Sequence, residues 1–161
     1  MVKFVQTSPE ITEMSTRQAL FSPLFIGAGV GLFGYLLTLG IRYLFINNLF
    51  CRSADMANIC NDGWNIAWIT AHVIVGVASV FALVRAGVYR PLLVVLAAFV
   101  ALWGLGGLIQ PLSWPLALLA ETALFALAYA LFAWLASLSK LFISGILIVI
   151  VVVVIRLLGL L

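Results

Sequence analysis

The chain has 161 residues, of which 66% are hydrophobic and 8% are charged, and its formal net charge is +3. Soluble domains carry roughly a quarter charged residues, so this composition excludes a water-soluble globular domain and predicts that lipid surrounds the fold. The basic residues are scattered singly along the chain, which argues against a nucleic-acid-binding protein because such proteins cluster them on one face.

Residues 1–23 are more polar than the sequence that follows, and we predict that they form a tail ahead of the membrane domain. Thr7 and Glu10 have the spacing of a helix capping box, and the apolar residues after them recur close to one helical face. A short helix lying at the membrane interface is one interpretation. A disordered tail is the other.

Residues 24–161 contain five apolar stretches, each close to the 20 or so residues that a helix needs to cross a bilayer. Short polar connections separate them, so the sequence predicts an all-α integral membrane protein, a polytopic bundle of five transmembrane helices. Four spans plus a re-entrant segment is the alternative, because the third stretch is the shortest and the last two are tightly connected. The predicted spans are 24–46, 64–84, 91–109, 115–136 and 141–161.

The distribution of basic residues predicts the orientation of these spans. With a cytoplasmic N-terminus, the outer loops keep only Arg52 among the cations, as the positive-inside rule requires. We therefore expect a multi-pass protein of the plasma membrane, with the first long loop and the C-terminus outside. The cations then placed on the cytoplasmic side are Lys3, Arg17, Arg85, Arg90 and Lys140.

Cys51 and Cys60 are the only cysteines, and both lie in the first external loop of this topology. In an oxidising compartment they are predicted to form a disulfide that closes a small loop, and two free thiols are the alternative. Their spacing differs from the Cys-x-x-Cys of dithiol redox enzymes. A metal site would need further His or Cys nearby, so none is predicted.

Small residues recur at helical spacing in three of the predicted spans. Those of the first span share one face, and glycine at such positions lets membrane helices approach closely. We predict that they form a helix-packing seam, and the lining of a ligand groove or pore is the alternative. The seam residues are Gly27, Gly31, Gly34, Thr38, Gly76, Ala126 and Ala130.

Polar residues of several spans fall at a similar depth, roughly 6 to 12 Å from the outer ends when residues are counted at 1.5 Å each. Charged groups at this depth need partners or water. We expect the carboxylate of Glu121 to meet Arg42, Arg156 or protonated His72. In the alternative, the arginines snorkel to the headgroups, His72 is a neutral core residue and Glu121 is protonated. The predicted layer is Arg42, His72, Gln110, Glu121 and Arg156.

No catalytic motif, phosphate-binding loop or metal-ligand cluster appears in the sequence, so we expect no cofactor and no enzymatic activity. A lipid-modifying enzyme is the least supported class, since Asp55 and Asp62 are the only acidic residues of the outer loops. We expect a non-enzymatic structural or assembly subunit that lies in the lipid bilayer. It is expected to bind a protein partner or to form a homo-oligomer. The alternative is a small oligomeric transporter or channel that uses Arg42, His72 and Glu121.

Overall fold

A computed structural model of the chain describes residues 9–51, 60, 62–137 and 141–157, with side chains described for 21–48, 51, 60, 62–137 and 145–155. All regular structure in these residues is helical. The elements are α1 (Pro9–Gly40), a π-helical segment (Ile41–Phe50), α2 (Gly63–Arg85), α3 (Pro91–Ala101), α4 (Leu105–Ile109), α5 (Trp114–Ala136) and α6 (Leu141–Leu157).

Three helices of the described part are long and apolar enough to cross a membrane, namely Phe21–Asn48, Gly63–Arg85 and Trp114–Ala136. Two further apolar helices are shorter, Pro91–Ala101 and Gly145–Ile155. The structure therefore confirms the predicted all-helical class, with three candidate membrane spans in place of five.

The third predicted span, 91–109, is not one continuous helix. It divides into α3 and the short α4, and the turn between them contains Gly104 with a φ of +99°. That conformation favours glycine because a Cβ atom would clash with the backbone. The 11 residues of α3 rise by about 16 Å, roughly half the thickness of the hydrocarbon core.

The first predicted span is part of a longer helix. α1 begins at Pro9 and continues without a break through residue 23, the predicted boundary of the polar tail. Thr7 of the predicted capping box lies outside the described residues. At the other end, α1 continues directly into the π-helical segment, which carries the chain to Phe50.

A disulfide joins the end of this segment to the region just before α2. It links Cys51 and Cys60, whose Cα atoms are 5.5 Å apart. Close by, Ile46 lies against the first residue of α2, since a Cβ built at Gly63 would be 3.0 Å from its Cγ2 atom. The first two candidate spans are thus connected by both a covalent bond and side-chain packing.

Helix α1 packs along α5 and α2, and the sequence of contacts along α1 gives its direction. Gly27 lies against Tyr129, whereas Gly31, one turn later, lies against Glu121. Increasing residue numbers in α1 therefore meet decreasing numbers in α5, so the two helices are antiparallel.

Helices α2 and α5 run in the same direction. Trp68 bonds to Glu121 near the start of both helices, and Ser79 bonds to Tyr129 further along both. Two parallel helices need a connection that returns to the starting side. The chain between them, α3 and α4, supplies it, because the indole of Trp64 at the start of α2 donates to the carbonyl of Gly106 in α4.

Candidate functional site

A buried polar cluster joins α2 to α5. The side chains of His72 and Glu121 have no exposed surface, and Nε2 of His72 lies 2.7 Å from Oε1 of Glu121. The indole Nε1 of Trp68, a residue that is 2% exposed, donates to the same oxygen at 3.0 Å. We call these three residues the His–Glu–Trp cluster.

The imidazole of His72 is held in one orientation by its surroundings. Its Nδ1 atom lies 2.8 Å from the carbonyl oxygen of Trp68, one helical turn earlier. The rings of Trp68 and Phe125 stack on it, with centroid distances of 4.3 Å and 4.9 Å. These contacts direct Nε2 at Glu121 and so fix the geometry of the contact between α2 and α5.

Glycines of α1 cover the cluster. A Cβ atom built at Gly31 would lie 2.7 Å from the backbone oxygen of Glu121, and one built at Gly34 would collide with Nε2 of His72. At Gly27 it would lie 2.6 Å from the backbone oxygen of Phe125. The close approach of α1 therefore requires glycine, which has no side chain, at these three positions. All three glycines pack inside the chain rather than against a partner.

The four other predicted seam residues differ in how closely they are packed. Thr38 is buried and donates to the carbonyl of Gly34 at 2.8 Å. A Cβ at Gly76 would meet Val95 at 3.7 Å, which is an ordinary contact. Of the two alanines in α5, Ala126 is buried beside Gly27 and Ala130 is half-buried.

The predicted layer of five polar residues is only partly assembled in the described residues. His72 and Glu121 meet, whereas the guanidinium of Arg42 lies over the ring of Trp64, 5.2 Å from its centroid. Gln110 is exposed in the turn after α4. Arg156 is part of α6, and its side chain is outside the described part of the chain.

Sequence reasoning did not assign Trp68 or Tyr129 to the site. Trp68 precedes His72 by one helical turn, so both residues lie on one face of the second predicted span. Tyr129 follows Glu121 by two turns, and its hydroxyl lies 2.8 Å from that of Ser79. In both cases the helical spacing from a polar residue is the signal that could have found them.

No family model, curated protein or solved structure matches this chain. Among the described residues, no group of three or more His, Cys, Asp or Glu is arranged to hold a metal ion. The cluster offers one imidazole, one carboxyl group and one indole N–H, which together can accept, donate or hold a proton.

Two apolar grooves lie outside the α1–α2–α5 core. The first, of about 440 Å³, lies between α2 and α3 and has His72 among its lining residues. The second, of about 650 Å³, extends over α5 and is bordered by α3, α4 and the end of α6. Leu124, Leu127 and Leu131 line the α5 side of the second groove, and we refer to it as the α5 groove.

Proposed function

We propose that the protein is a membrane protein of five crossing segments that serves as a non-enzymatic structural or assembly subunit. The parallel directions of α2 and α5 support this topology, because α3 and α4 must then carry the chain back across the bilayer between them. With the cytoplasmic N-terminus favoured by the positive-inside rule, the disulfide and the C-terminus lie outside the plasma membrane.

The observation that carries the structural role is the burial of the contact between His72 and Glu121. Both partners of the 2.7 Å contact have no exposed side-chain surface, and α1 glycines pack directly over them. A buried polar contact between two helices specifies which helices pair and in which register, a role that buried polar groups have in other helical assemblies.

The α5 groove is the surface that we propose for protein contact. Gly27, Gly31 and Gly34 of α1 already pack inside the chain, so they do not provide an external packing face. The groove presents Leu124, Leu127 and Leu131 between neighbouring helices. Side chains of a partner helix gain van der Waals contact in such a groove, and this contact is the main attraction between helices in lipid.

Filling the α5 groove should release the partner. Leu127 is 63% exposed and lines the groove, whereas Leu119, on the same helix and 65% exposed, does not. We expect native mass spectrometry of protein gently extracted from its own membrane to show a polypeptide bound in fixed ratio, lost in Leu127→Trp and retained in Leu119→Trp. Equal retention in both variants would contradict this use of the groove, and a chain carrying only lipid would contradict the subunit role.

A small oligomeric transporter is the second candidate, and the contact between His72 and Glu121 is the observation that favours it. Two ionisable groups in direct contact inside a membrane often belong to ion or proton pathways. If they carry the transported species, pH-driven proton flux into liposomes should fall at least tenfold in Glu121→Gln and His72→Ala. Flux in both variants equal to that of the unmodified chain would remove the pair from any transport mechanism.

A further inference from the structure

The hydrogen-bonding groups around His72 determine where its protons lie. Nδ1 faces a backbone carbonyl at 2.8 Å, and because a carbonyl oxygen only accepts hydrogen bonds, Nδ1 carries a hydrogen. Among the described residues, Nε2 has no hydrogen-bond partner other than the carboxyl oxygen 2.7 Å away. Without a proton in this gap, two lone pairs would face each other at hydrogen-bond distance, so one proton lies between Nε2 and Oε1.

The pair is therefore electrically neutral in either arrangement of that proton. It is an imidazolium with a carboxylate if the proton lies on Nε2, and an imidazole with a carboxylic acid if it lies on Oε1. Trp68 donates to Oε1 in both cases, since a hydroxyl oxygen still accepts a hydrogen bond. Neutrality explains how two ionisable groups can be enclosed among apolar rings, where an unpaired charge would be costly.

One atom of the cluster remains without a partner. Oε2 of Glu121 is buried and makes no hydrogen bond within the described residues. Because Oε2 has no donor there, the contacts of Oε1 with Trp68 and His72 are the ones that hold the carboxyl group in place.

We propose that the His–Glu–Trp cluster is a proton-binding site, which holds one proton between Nε2 of His72 and Oε1 of Glu121. A titratable side chain lies near the pair on each of α1 and α5. From α1 that group is Tyr35, which interacts electrostatically with Glu121. From α5 it is Tyr129, which is bonded to Ser79.

The sequence allows each of the two groups to be observed alone. His72 is the only histidine of the chain, so ¹⁵N-histidine labelling reports on its ring without ambiguity. The other glutamates are Glu10 and Glu13, both remote in sequence from the cluster. In the Glu10→Gln/Glu13→Gln background, ¹³C-carboxyl glutamate labelling reports on Glu121 without any change at the site itself.

The test counts protons by NMR of the ring and infrared spectroscopy of the labelled carboxyl, on the full chain in lipid nanodiscs. At neutral pH we expect either two N–H groups with an ionised carboxyl, or one N–H with a protonated carboxyl. A ring with bare Nε2 beside an ionised carboxyl would overturn the shared proton. Two N–H groups beside a protonated carboxyl at neutral pH would overturn it as well, because the pair would then hold two protons instead of one.

The inference does not depend on the subunit role, because the proton count is read from the isolated chain and the partner from the native complex.

Discussion

Replacing Glu121 with glutamine is expected to lower the free energy of unfolding by about 3–5 kcal/mol, the range observed when one partner of a buried ionic pair is removed. Oε1 of Glu121 accepts from Trp68 and shares a proton with His72. An amide nitrogen in that position would point its hydrogens at the indole N–H. An amide oxygen would leave a protonated imidazole without a counter-charge, and either outcome is costly in a buried site.

The measurement is an SDS titration of folded protein in mixed micelles. Asp62→Asn is the matched control, because the same chemical change falls on an exposed residue whose side chain makes no capping hydrogen bond. The double variant Glu121→Gln/His72→Gln should cost less than the sum of the two single changes, by at least about 0.5 kcal/mol, as expected for residues in contact. Additive costs would contradict a direct interaction between the two groups.

The change Gly31→Ala is expected to destabilise the protein by about 1–3 kcal/mol, the usual cost of adding a methyl group to a filled interior. The added Cβ would lie 2.7 Å from both the oxygen of Glu121 and the Cα atom of Thr122. These are backbone atoms, which cannot rotate away as a flexible side chain can. The helix α5 must therefore shift, and the His–Glu–Trp cluster shifts with it.

Gly29 provides the control for this change two residues away in the same helix. A Cβ built there has no neighbour within 4 Å, so Gly29→Ala should leave the free energy of unfolding unchanged or raise it by up to about 1 kcal/mol through helix propensity. The same SDS titration measures both variants. If Gly31→Ala behaved like Gly29→Ala, the register of α1 against α5 described above would be wrong.

Depth along each helix could be predicted from the sequence, whereas the choice of partner could not. Counting residues from the span ends placed His72 and Glu121 at a similar level, and the structure brings them into contact. The same count placed Arg42 at a similar depth, yet its guanidinium lies over the ring of Trp64 and not against Glu121. Depth fixes position along the membrane normal, but contacts also depend on how the helices are arranged around one another.

The division of the third predicted span shows a second limit of sequence reasoning. Residues 91–109 are apolar throughout, and hydropathy does not register a change of backbone direction within an apolar run. Gly104, Gly106 and Gly107 were the visible signal. Gly104 takes the positive φ of the turn, and Gly106 makes room for the ring of Trp68, whose Cγ atom would lie 2.8 Å from an added Cβ. Glycine can serve either purpose, so composition alone does not distinguish them.

The distance in sequence between the two sides of the cluster has a consequence for biogenesis. Trp68 and Glu121 are separated by 53 positions, so α1 and α2 are synthesised well before the acceptor carboxyl exists. During that interval the imidazole of His72 and the indole N–H of Trp68 lack the oxygen that they contact in the folded chain. A chain shortened before α5 would keep both polar groups without this acceptor.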